Sequence, residues 1–177
     1  AYVDLAPEGT APALDTSMEN VIRMRTFSKA YGMAGARVGF AISAPDVING
    51  FNKVRNHFGM SRTGQIGALA SLQDGGWLEH IRAEVDASRQ RIGQIAAAHR
   101  LTALPSATNF VTIDCGRDGD FARAVLGKLV EDGIFVRMPF VAPQDRCIRV
   151  SCGPEVLMKA FAEALPIALA YAHEKLG

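Results

Sequence analysis

The chain lacks a surplus of either charge. Its 19 lysines and arginines face 18 aspartates and glutamates, a formal net charge of +1. No long run of one sign occurs, so the electrostatic footprint expected of a nucleic-acid or anionic-membrane binder is missing. Histidine and cysteine are scarce, at four and three residues. Cys115, Cys147 and Cys152 form no tight cluster with histidines, which argues against a metal site. An odd, mostly scattered set of cysteines points instead to reduced, buried or half-buried thiols in a cytoplasmic protein. A redox pair of Cys147 and Cys152 is the weaker reading. No uninterrupted apolar stretch approaches the roughly 18 residues expected of a membrane span, and no leader pattern is read at the start. The chain opens on Ala1 rather than on methionine.

What is present is enough for a substantial core. Hydrophobic residues make up 49% of the 177 positions, which suits one large domain or parts of two. Residues 9–20 carry glycine, prolines and polar side chains and read as a loop. Val21 to Thr26 and Ala36 to Ser43 read as two buried strands of one sheet. A helix is expected from Pro45 to about His57, and another from Ser61 to Gln73, closed by Asp74-Gly75-Gly76. Leu78, Ile81, Val85, Ile92 and Ile95 recur at helical spacing and predict a long amphipathic helix bridging two domains. A smaller domain should follow as β-α-β-β-α. Its strands are expected at Phe110 to Asp114, Ile134 to Met138 and Cys147 to Ser151. One helix should bury Phe121, Val125, Leu126, Leu129 and Val130 and end at Gly133. The last helix starts at Pro154, buries Leu157, Phe161, Leu165 and Leu169, and should be kinked or interrupted at Pro166. The expected division is 1–75 and 76–177.

The most informative run is Thr26-Phe-Ser-Lys-Ala-Tyr-Gly-Met-Ala-Gly-Ala-Arg-Val-Gly39. A lysine sits beside hydroxyls, is followed by glycines and is trailed by Arg37. Lysine is the side chain that condenses with carbonyl cofactors such as pyridoxal phosphate. Thr26, Ser28 and Arg37 could hold a phosphate by hydrogen bonds and fixed charge. Gly32, Gly35 and Gly39 would allow tight turns and a close approach to a ligand. As a bare pattern, the same run also fits an exposed turn between two strands.

This run resembles the lysine segment of fold-type I pyridoxal-phosphate aminotransferases, in the branch of histidinol-phosphate aminotransferase. Three further segments are similar to that family's landmarks, in the same order. Ala1-Tyr2-Val3-Asp4 resembles the strand end after its Asp-Glu pair. Pro105-Ser-Ala-Thr-Asn109-Phe110 resembles its small-domain strand entry. Gly133-Ile-Phe-Val-Arg137 and Cys147-Ile-Arg149-Val-Ser-Cys-Gly153 resemble its arginine-bearing strands. The resemblance implies an α/β fold: the later strands of a mainly parallel large-domain sheet, then an α+β small domain. It implies the C-terminal half of a longer protein, with pyridoxal 5'-phosphate as cofactor and a homodimer as the assembly. The expected activity moves an amino group between an amino acid, or an amino-acid-like phosphate ester, and a 2-oxo acid.

Site roles follow from the same resemblance. Lys29 would carry the cofactor and move protons. Tyr2 would hydrogen-bond the cofactor's phenolic oxygen, and Ser28, Thr26 and Arg37 would hold its phosphate. Arg149 would grip the substrate carboxylate, with Arg137 and Asn109 nearby. Simple strand alternation independently puts Arg149 opposite Ile148 and Val150. Thr26 also fits ordinary strand packing, and Arg137 also fits a solvent-facing position. Asn56-His57-Phe58-Gly59-Met60-Ser61 departs from the Pro-aromatic-Asn pattern of that branch, which puts an imidazole substrate in doubt. The family's carboxylate for the pyridine nitrogen, its glycine-rich loop and its stacking aromatic would lie before Ala1. Three other readings stay open: a decarboxylase on the same scaffold, a non-catalytic folding or dimerisation unit, and a plain ligand-binding domain.

Overall fold

The computed structural model describes residues 1–177. The chain divides into two compact units, Ala1–Arg82 and Ala83–Gly177, and the division falls inside one long helix.

The first unit contains strands β1 (Arg23–Thr26) and β2 (Gly39–Ile42), followed by helices α1 (Pro45–Val54) and α2 (Arg62–Gln73). The strands pair antiparallel, with Thr26 opposite Gly39 and Arg23 opposite Ile42. The link between them holds one 3-10 turn (Ala34–Ala36) and no α-helix of the kind that usually carries a parallel crossover. Every strand pair in the chain is antiparallel, so the parallel part of the expected sheet is not among these residues. Ser61 caps α2 by accepting from the Gly64 amide at 3.0 Å, as a serine at this position should. Phe27 and Val38 pack with Ala68 of α2 into a small buried cluster. Ala1–Asp4 is not a strand end. Val3–Leu5 forms a 3-10 turn, in which the Leu5 amide donates to the Tyr2 carbonyl at 2.9 Å.

Gly39 is needed for the strand pair. A Cβ built there would lie 2.6 Å from the Arg25 carbonyl oxygen across the sheet. Gly39→Ala therefore forces β1 and β2 apart. The expected loss is about 1–3 kcal/mol, as for other overpacked sites, measured by urea unfolding. A change below about 0.5 kcal/mol would mean that the strands already have that room.

Helix α3 (Trp77–Ala98) crosses the division and carries Val85, Ile92, Ile95 and Ala96 into the core of the second unit. That unit also contains β3 (Thr102–Ala103), β4 (Phe110–Asp114), α4 (Gly119–Glu131), β5 (Cys147–Ser151) and α5 (Glu155–Leu176). The sheet order is β3-β4-β5, antiparallel throughout. Val111, Ile113, Ile148 and Val150 point to the buried face, against Phe121, Val125 and Leu129 of α4 and Phe161 and Leu165 of α5. Asp118 caps α4 by accepting from the Phe121 amide at 3.0 Å. At its other end Gly133 takes φ +80°, its amide donates to Val130 and the Ile134 amide donates to Leu129. This paired closure satisfies the last carbonyls and favours glycine.

Several expectations change here. Ile134 to Met138 is not a strand but a single bridge, Arg137 to Arg149. Gly133 turns the chain on one side, and Pro139 lacks the amide a ladder needs on the other. The burial alternation survives, with Val136 and Met138 buried and Arg137 exposed between them. In α5, Pro166 does not end the helix. Phe161, Leu165, Ala168 and Ala172 are at most 1% exposed around it, and their packing outweighs a proline cost of about 3 kcal/mol. Leu157 is exposed, and Met158 fills the buried position instead. By length and mean hydropathy of 1.2, α5 does qualify as apolar enough to cross a membrane. Its buried face makes it the core helix of this unit. Val130 of α4 is also exposed rather than buried.

Cys115 and Cys147 are buried, Cys152 is half-buried, and all three are free thiols. Burial pushes the Cys115 thiol up to about 12, with Cys147 adding to the effect. Burial also raises the thiols of Cys147 and Cys152. None has the depressed pKa of a reactive cysteine.

Candidate functional site

In the first unit the chain leaves β1 at Thr26, makes a compact loop and returns at β2. The Met33 amide donates to the Phe27 carbonyl at 2.9 Å, and the Phe27 amide to the Val38 carbonyl at 3.2 Å. Phe27, 2% exposed, anchors the loop from below, with the rings of Tyr31 and Phe40 centred 5.1 and 5.7 Å away. The Gly32 amide donates to the Lys29 carbonyl at 3.0 Å, and Gly32 adopts φ +67° to close that turn. Of the other two glycines, Gly39 is required by packing. Gly35 has neither a positive φ nor a neighbour within 4 Å of a built Cβ, so no such role falls to it.

The polar groups of the run converge. Thr26 Oγ1 donates to Ser28 Oγ at 2.9 Å and accepts the Ser28 amide at 3.1 Å. Arg37 Nη1 reaches Ser28 Oγ at 3.5 Å and donates to the Ala34 carbonyl at 2.9 Å. Arg37 itself is left-handed, at φ 53° and ψ 46°. That conformation costs a non-glycine residue about 1–2 kcal/mol, and such strain tends to gather at functional sites. Lys29 Nζ lies 5.4 Å from the centre of the Tyr2 ring. Neither Lys29 nor Arg37 forms an ion pair. Two hydroxyls and a guanidinium without a carboxylate make a donor set suited to a phosphate. A half-buried lysine without an acidic partner, beside a phenol, suits a carbonyl group next to that phosphate. The residues present therefore fit pyridoxal phosphate.

In the second unit, Arg149 of β5 shares a face with Phe110 and Thr112 of β4, and its guanidinium lies 4.7 Å from the Phe110 ring centre. The Arg137 amide donates to the Arg149 carbonyl at 3.1 Å, and the Arg149 amide to the Arg137 carbonyl at 2.6 Å. Residues paired this way share a face, with the Arg137 guanidinium 5.9 Å from the Phe135 ring centre and that of Arg149 near Phe110. Neither has a carboxylate partner. Like charges placed opposite each other repel, and an anion between them would relieve that repulsion. Asn109 enters β4 with its carbonyl accepting the Cys152 amide at 2.8 Å. His57 sits exposed in a turn after α1, where Asn56 Oδ1 accepts the Phe58 amide at 3.0 Å.

Some contributors carried no sequence signal. Trp77 Nε1 donates to the Ala30 carbonyl at 2.9 Å and ties the lysine loop to the start of α3. The residues are 47 positions apart and match no local pattern. Asp4 lies 3.9 Å from Arg25 Nε. Burial, and secondarily the charge of Asp4, raises the Tyr31 phenol above its usual range.

Comparison with known proteins bears on these groups. The family model for aminotransferase class I and II matches residues 1–165. Histidinol-phosphate aminotransferase 2 of Gluconobacter oxydans (strain 621H) is 36% identical over 156 residues, 86% of this chain and 43% of that protein. The aromatic amino acid aminotransferase of Mycobacterium tuberculosis (strain ATCC 25618 / H37Rv) is 39% identical over 155 residues, 82% of this chain and 43% of that one. Among solved structures, histidinol-phosphate aminotransferase from Sinorhizobium meliloti in complex with pyridoxal-5'-phosphate superimposes with a TM-score of 0.90 at 50% identity. The match covers 96% of this chain and 47% of that one. The chain thus spans less than half the length of these relatives.

Proposed function

From the premise that the chain belongs to the class I and II aminotransferases, we propose that it supplies the lysine, phosphate cradle and carboxylate grip of a pyridoxal-phosphate-dependent aminotransferase. The enzyme would move an amino group between an amino acid, or an amino-acid-like phosphate ester, and a 2-oxo acid. One observation carries the proposal: within one loop, Lys29 without an ion pair stands beside Tyr2, and a left-handed Arg37 reaches the Thr26–Ser28 hydroxyl pair.

When bound, pyridoxal phosphate supplies an aldehyde for amine exchange and a ring that accepts electron density from the substrate Cα. The chain's own residues do the rest. Arg37 and Ser28 would hold the phosphate, with Thr26 orienting the Ser28 hydroxyl. Tyr2 would hydrogen-bond the phenolic oxygen. Lys29 would attach to the aldehyde, and its Nζ as a free amine would carry the proton from the substrate Cα. Arg149 receives the substrate carboxylate through two parallel hydrogen bonds, with its guanidinium steadied over Phe110. Arg137 adds positive charge, and Asn109 lines the same region. The proposed assembly is a homodimer, as the family resemblance implies. A reducing, cytoplasmic setting is supported by three free cysteines.

The test is a half-reaction on the holoenzyme without an acceptor acid. Transamination releases one equivalent of 2-oxo acid per cofactor and no carbon dioxide. Carbon dioxide release without the 2-oxo acid would establish the decarboxylase instead. Arg149→Ala is expected to weaken amino-acid binding about 10- to 100-fold, the worth of a charge-assisted bidentate contact. Cofactor binding should be unchanged, and Arg149→Lys should not restore the geometry. Unaltered amino-acid affinity in Arg149→Ala would remove its assigned role.

A further inference from the structure

The first unit holds a cationic cleft that shares no lining residue with the Lys29 group. It has a volume of about 440 Å³ and is lined by residues 3, 4 and 6–11 together with Arg23, Arg25 and Arg82. Strand alternation puts Arg23 and Arg25 on one face of β1, while Met24 on the other face is 63% exposed. Arg82 comes from α3, and its Nε donates to the Asp4 carbonyl at 2.6 Å. Arg23 Nη2 donates to the Pro12 carbonyl at 2.6 Å. Arg23 and Arg82 are therefore each held by one edge, with the rest of the donor fork free, and the Arg25 side chain makes no hydrogen bond. Acid in the cleft is sparse. Asp4 approaches Arg25 Nε only at 3.9 Å, and Glu8 forms no ion pair. Three fixed cations face two carboxylates, one of them loosely paired, around a space far larger than a water molecule.

We propose that this cleft binds a phosphate group, either free or as the head of a small monoester. A carboxylate offers two oxygens, whereas a phosphate offers three or more and can engage several guanidinium forks together. The volume, within the usual range for small-ligand sites, leaves space for an ester substituent beyond the phosphate. The inference does not depend on the role of Lys29.

The experiment is a phosphorus NMR titration of the full chain with inorganic phosphate and, separately, methyl phosphate. It is carried out in the Arg37→Gln background so that the Ser28 cluster contributes little. Saturable binding of both probes is expected to persist there, weakening as salt is added. Arg23→Gln and Arg82→Gln should each lower affinity about tenfold or more, the loss of a charge-assisted contact. Circular dichroism checks the fold, and because Arg82 is exposed, its variant carries the test if Arg23→Gln unfolds. Binding that vanishes with Arg37→Gln alone would overturn the proposal. So would equal affinity in the Arg82→Gln chain, or succinate binding as tightly as phosphate.

Discussion

Under the proposed function, Lys29→Ala is expected to abolish turnover of the holoenzyme. The loss of proton transfer alone is worth about 10²- to 10⁴-fold in rate, and loss of the amine that anchors the aldehyde adds to it. Cofactor taken up by the variant would be held without a covalent link, by Arg37, Ser28 and Thr26 at its phosphate and Tyr2 at its phenolic oxygen, and should wash out on dialysis. The surrounding fold should persist. Lys29 is neither ion-paired nor part of a buried cluster, and its only ring contact is with Tyr2. Stability should therefore change little, since no buried contact or ion pair is lost. Steady-state rate, retained cofactor and urea midpoint together separate a chemical defect from a structural one. A variant that keeps most of its activity would show that another amine does the work.

The second large effect is structural. Phe161 of α5, 1% exposed, belongs to the core that α4, α5 and the sheet share in the second unit. Phe161→Ala is expected to cost about 3–5 kcal/mol, the sum of lost transfer energy and the cavity left behind. That is a large share of the 5–15 kcal/mol typical of a domain. The bridge that pairs Arg137 with Arg149 rests on the same packed layer, through Val136, Ile148 and Val150. Amino-acid affinity should therefore fall together with stability in this variant, unlike in Arg149→Ala. A cost below about 1 kcal/mol, read from urea unfolding, would mean that α5 repacks freely and that this core does not hold the arginines in place.

Local patterns in the chain gave away most of what is local in the fold. Serine before a helical run marked the start of α2, and Gly133 marked the left-handed stop after α4, because caps are decided within a few residues. Period-two alternation put Arg149 on the face opposite Ile148 and Val150. The run from Thr26 to Gly39 pointed to a lysine loop between two strands, and its hydroxyls and guanidinium do meet. What escaped depended on partners distant in sequence. Ile134 to Met138 has the burial rhythm of a strand, yet pairing requires free amides and a neighbour, and Pro139 ends that chance. Pro166 breaks helices in isolation, but here a buried face holds the helix together. The Trp77 tether to Ala30 and the cleft of Arg23, Arg25 and Arg82 are products of tertiary folding, and neither is spelled by any short motif.

The most direct measurement reduces the pyridoxal-phosphate-loaded protein with borohydride, digests it and finds the cofactor's mass by peptide mapping. The label should sit on the peptide containing Lys29, in one equivalent per chain, and should be absent from Lys53, Lys128, Lys159 and Lys175. Label spread across those lysines, or none at Lys29, would contradict the account.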